Sequence, residues 1–117
     1  MARVFGIHEI DVNPGINEVD FKKFFVNELA PIYEPWKFML LKGDRGQRTG
    51  KYAVLIEIES VEERDLHSPA PDTFSEEDQR WEAEHKDLVE ALMKKWAKFS
   101  TTDIGMHAEY TDYIVLE

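Results

Sequence analysis

Two stretches, WKFMLLK over residues 36–42 and KYAVLIEIES over residues 51–60, limit the fold more than any other feature. Both read as strands, and a strand alternates its side chains between two faces. In the second stretch Tyr52, Val54, Ile56 and Ile58 form one face, yet Ala53 and Leu55 on the other are apolar as well. In the first, Trp36, Phe38 and Leu40 are opposed by Met39 and Leu41. A sheet built from such strands needs cover on both sides, or it exposes an apolar patch of a few hundred Å2 that monomers avoid.

The rest of the chain shows how much cover is at hand. RVFGIHEIDV, residues 3–12, is β-branched and alternating and reads as a first strand, stopped by Asn13-Pro14-Gly15. Asn17 is placed to cap a helix on which Phe21, Phe25, Leu29 and Ile32 form one stripe flanked by Phe24, ending near Pro31 and Pro35. Glu28 falls inside that stripe and is expected to be a buried carboxylate. The glycine-containing loop GDRGQRTG joins strands two and three as a hairpin. Ser60-x-x-Glu63 is a capping box for a short helical turn to about Leu66, and Ser75-x-x-Asp78 caps a second long helix over residues 76–99. EYTDYIVLE, residues 109–117, closes the chain as a final strand.

The order βαββαβ predicts a single α+β domain over residues 1–117, a ferredoxin-like sandwich. Its four-stranded antiparallel sheet carries two helices on one face. Two helices leave the second face bare, so the expected partner is a second copy: a homodimer packed sheet to sheet about a two-fold axis.

Asn13-Pro14-Gly15, the helix pattern FKKFFVNELAP, the strand KYAVLIEIES with its short acidic turn, the Trp-bearing second helix and the terminal YTDYIVLE together resemble the dimeric α/β-barrel superfamily. The likeness is to its stress-responsive A/B-barrel and antibiotic-biosynthesis-monooxygenase-like small proteins. It implies a barrel formed by two sheets and a ligand cavity between each sheet and its own helices. Members include cofactor-independent oxygenases, haem-degrading enzymes, isomerases and many proteins with no known reaction. The Asn/Trp/His set of the haem-degrading members is not matched with confidence, since Asn13 ends a strand while Trp81 and His85 share one helix. No cofactor is expected.

The candidate site centres on WEAEHKDL, residues 81–88. On a continuous helix Trp81, His85, Leu88, Leu92, Trp96 and Phe99 fall on one stripe. His85 is then either a core histidine satisfied by one hydrogen bond or the base and polar anchor of a pocket. Glu82-x-x-His85 has a spacing used in di-iron bundles, but those need a second such pair and two further Glu, and Glu82 falls toward the margin of the stripe and solvent. No metal is expected. His8 alternates with Val4, Gly6 and Ile10, and Gly6 beside it suggests close approach of a ligand or another chain. If that face meets the helices, His8 and His85 approach each other with Glu28 as an orienting carboxylate; if it is the barrel face, His8 lies at the dimer interface. Sequence leaves the two open, because a bulge switches the phase. Trp81 and Tyr52 are the expected pocket walls, while His67 and His107 lie in loops with no partner pattern.

Charge and composition narrow the function classes. Net charge is −10, and all of the imbalance lies between Glu57 and Glu90, which hold 13 acids and 3 bases. Such a chain repels phosphate backbones, which argues against nucleic acid. With no cysteine, thiolate chemistry and disulfides are excluded. The sequence shows no N-terminal apolar leader and no run of about 18 apolar residues, so a cytoplasmic, non-membrane protein is expected. Two functions stay open: a homodimer that binds or transforms a small hydrophobic or aromatic molecule without a cofactor, and a non-enzymatic stress-linked binding or assembly module whose histidines are structural.

Overall fold

The computed structural model describes residues 2–70, 73–104 and 110–116. Strands β1 (Val4–Ile10), β2 (Lys37–Lys42), β3 (Tyr52–Ile58) and β4 (Thr111–Ile114) form one antiparallel sheet in the order β2-β3-β1-β4. With helices on one side, this is an α+β arrangement compatible with the ferredoxin-like sandwich. The remainder of the expected last strand, including Glu109 and Glu117, lies outside the described residues, as does His107.

Each helix begins where a short polar side chain meets an orphan backbone N–H. Asn17 accepts from the Asp20 N–H at 3.1 Å and opens α1 (Glu18–Phe24), which continues through a π-helical turn at Phe25–Leu29 and a 3₁₀ turn at Ala30–Tyr33. Ser60 caps α2 (Val61–His67) through the Glu63 N–H, and Ser75 caps α3 (Glu76–Glu84) through the Asp78 N–H. The expected single helix over residues 76–99 is broken. At His85 the backbone leaves the helical region (φ −111°, ψ 28°), and α4 runs from Lys86 to Ala97. The cause is local: the Trp81 carbonyl already accepts the His85 N–H at 3.0 Å and takes the imidazole Nδ1–H as well, at 2.8 Å.

The alternation of β1 decides the faces. Val4, Gly6, His8 and Ile10 are buried while Ile7 and Glu9 are exposed. The inner face, with Val54, Ile56 and Ile58 of β3, packs on Phe21, Phe24, Phe25 and Leu29 of the first helix and on Leu92 and Trp96 of α4. Phe21 is fully buried and stacks on Phe99 at 4.9 Å between ring centres. Glu28 departs from expectation: it is exposed and ion-paired with Lys95. A π-helical turn shifts the phase of the residues inside it, so the stripe passes through Phe25 and Leu29 without Glu28.

The outer face has no cover from this chain. Ile7, Leu55 and Met39 lie opposite one another across three strands, as do Glu9, Ala53 and Leu41, and Phe5 faces Tyr113 on β4. Ile7, Met39, Leu41 and Tyr113 are all exposed. Charge sits around the patch, in the pairs Arg3–Glu57 and Arg48–Glu9. Among the described residues no helix is long and apolar enough to cross a membrane.

Candidate functional site

Between the inner sheet face and the helices lies a cavity of about 760 Å3. His8, Phe38, Val54 and Ile56 form its sheet wall. Tyr33 and Trp36, from the turn that follows the first helix, form a second wall, and Val89, Met93 and Trp96 of α4 a third. Asp78, Trp81 and Glu82 of α3, with His67 at the end of α2, close the remaining side. The volume is in the range of small-molecule sites, and the walls are mainly apolar with few polar groups, as such sites are.

His8 is the polar group on the sheet wall. Pairing with Val54 holds it on the inner face, where it is 4% exposed. Among the described residues its ring nitrogens meet no hydrogen-bond partner; its nearest ring neighbour is Tyr110, at 6.4 Å and tilted by 33°. Burial disfavours the charged form and lowers its pKa, so the imidazole is neutral at pH 7, with one nitrogen able to accept a proton. The space beside Gly6 is taken by this chain and not by a ligand. A Cβ there would lie 3.2 Å from the Asp112 carboxylate and 3.2 Å from the Tyr110 ring, so the glycine admits the segment entering β4.

Trp81 stands on the cavity wall, 37% exposed, and His85 lies behind it. The two rings stack at 4.3 Å with 15° between planes. His85 is half-buried and does not line the cavity; its Nδ1–H is spent on the Trp81 carbonyl. Glu82, expected toward solvent, is half-buried and faces the cavity. The reason is the break at His85: α3 no longer shares the phase of α4, and Asp78, Trp81 and Glu82, spaced as one helical face, turn inward together. Tyr52 does not line the cavity. Its hydroxyl donates to Glu18, which also pairs with Lys42 at 2.7 Å, and that contact depresses the Glu18 pKa. The structure thus brings His8 and Trp81 to one cavity and leaves His85, Tyr52 and Glu28 outside its lining.

Three groups escaped sequence reading. His67 donates or accepts through Nδ1 to Asp78 at 2.8 Å, with Nε2 3.4 Å from Glu63, and its ring meets Trp36 edge to face at 5.5 Å. A signal was present. Two capped helices joined by a short loop must bring the end of α2 beside the start of α3, and the Ser75 N–H indeed donates to the His67 carbonyl at 2.8 Å. Tyr33 is the second group, its phenol pushed up to about 12 by burial and then by the Glu82 carboxylate. Trp36 is the third: its indole Nε1 is buried and without a partner. Among the described residues no group of three or more His, Cys, Asp or Glu side chains is placed to hold a metal ion. In comparisons with known proteins the chain matches no protein family, no curated protein and no solved structure.

Proposed function

We propose that the protein is a small cytoplasmic homodimer of the dimeric α/β-barrel kind that binds, and can transform, a small hydrophobic or aromatic molecule in the cavity of each subunit. The observation that carries this reading is an unpartnered, buried, neutral histidine on the wall of a cavity of about 760 Å3. A lone polar group in an apolar site fixes the orientation of a ligand, and a neutral imidazole is a competent general base near its own pKa. His8 is the anchor or base in this reading, and Trp81 is a wall. His85 acts through Trp81 as a positioning residue, its ring stacked on the indole and tied to the backbone.

Dimerisation through the outer face is supported by its apolar centre. Four strands of this length present roughly 400 Å2 in plan at about 4.8 Å spacing and 3.3 Å rise. A pleated surface exceeds its plan area, so two copies together reach the order of 1,000 Å2 that stable interfaces need.

Calorimetry with naphthalenemethanol, a neutral aromatic alcohol, tests the ligand reading. Binding should be lost in Met93→Trp, which fills the cavity, and weakened in His8→Leu. Failure of the wild-type chain to bind this probe or other neutral aromatics of its size would sink the reading.

One observation favours the second function, a non-enzymatic binding or assembly module. The Nδ1–H of His85 is satisfied within its own helix, and His67 is held between two carboxylates, as structural histidines are. A cavity that takes ligand without turnover, with His8→Leu leaving every downstream readout intact, would support that module.

A further inference from the structure

We propose that the cavity selects an apolar cation, a small aromatic or aliphatic amine whose ammonium group sits beside Glu82. The inference rests on the reading that the cavity binds a small hydrophobic molecule, and it adds the charge of that molecule. Among the described residues the lining includes the acids Glu34, Asp78, Glu82 and Asp103 but neither Lys nor Arg. Asp78 is engaged by His67 at 2.8 Å, whereas Glu82 is half-buried on the wall with no ion-pair partner among the described residues.

An unpaired carboxylate in a partly enclosed apolar site is costly to bury, and a ligand that brings the opposite charge relieves that cost. A ligand carboxylate or phosphate would add a second unpaired negative charge with no cation near it, which rejects that class. The aromatic faces of Trp81, Trp36 and Tyr33 attract a cation and a hydrophobic body alike. His8 supplies the independent sign that something binds here, being 4% exposed, unpartnered among the described residues and on the wall. Held neutral by burial, it accepts a hydrogen bond from the ligand and opposes no positive charge.

Three probes sharing one ring system test this by calorimetry on the full chain at neutral pH and low salt: naphthylmethylamine, naphthalenemethanol and naphthoate. The amine should bind about tenfold more tightly than the alcohol, and naphthoate more weakly than either. Glu82→Gln should bring the amine to within about threefold of the alcohol while leaving the alcohol unchanged. Glu76→Gln, an exposed acid on the same helix that does not line the cavity, should keep the preference, which separates a local contact from attraction by the net charge. Naphthoate equal to the amine, or a preference that survives Glu82→Gln, overturns the proposal. Alcohol binding without any charge preference sinks this inference alone. No binding of any probe, or alcohol binding that persists in Met93→Trp, shows that the cavity reading itself has failed, and the inference falls with it.

Discussion

Replacing His8 by Leu should make the protein more stable while weakening its site. The imidazole is 4% exposed on the inner face, shares it with Val4, Ile10 and Val54, and has no hydrogen-bond partner among the described residues. An unpaired buried polar group costs about 1–3 kcal/mol, and a leucine of similar volume removes that cost and adds apolar contact. Water in the adjoining cavity offsets part of it, so the expected gain is about 1 kcal/mol, or roughly 4 °C in melting temperature for a domain of this size. Urea unfolding followed by tryptophan fluorescence measures it. The pH dependence gives a second handle. Burial lowers the native pKa of His8 below its unfolded value near 6.5, so its contribution is intact above that value. As pH falls below 6.5 the unfolded chain binds a proton that the native state refuses, and stability drops until the native pKa is passed. The slope is at most about 1.4 kcal/mol per pH unit, so the advantage of His8→Leu over the natural chain should widen below pH 6.5. A loss of 1 kcal/mol or more in His8→Leu at pH 7.5 would refute the reasoning, since it would mean that the ring belongs to a satisfied hydrogen-bond network.

Leu55→Glu, at the centre of the uncovered sheet face, should convert a dimer to a monomer in light scattering at micromolar concentration, and a natural chain that is already monomeric there would contradict the dimer. Phe21→Ala removes a fully buried ring stacked on Phe99 and in contact with Trp96, and should cost about 3–5 kcal/mol in urea unfolding. Ser60→Ala deletes the hydrogen bond to the Glu63 N–H that starts α2 and should cost about 1 kcal/mol in the same assay. Ser60→Asp, which restores an acceptor, should recover most of it.

Much of the fold was legible because it depends on local rules. Period two in KYAVLIEIES, the caps at Asn17, Ser60 and Ser75, and the aromatic stripe of the first helix are set by neighbours within a few residues, and each is found where those rules put it. The site was less legible. Periodicity on one long helix places His85 at the middle of a buried stripe, but one ring-to-carbonyl hydrogen bond breaks that helix and rephases all that precedes it. Glu28 was misplaced for a similar reason, a π-helical turn that wheel geometry does not contain. His67 and Asp78 are eleven residues apart and meet only because a loop closes.

The amino-acid sequence by itself determined the element order, the helix starts and the two-faced strands, and it excluded cysteine chemistry. Only the tertiary structure decided which way β1 faces, and so that His8 enters a cavity. Period two makes either face equally good for a strand considered alone. It is the pairing with Val54 on one side and the helices above it that break the tie, by burying one alternation and leaving the other to water.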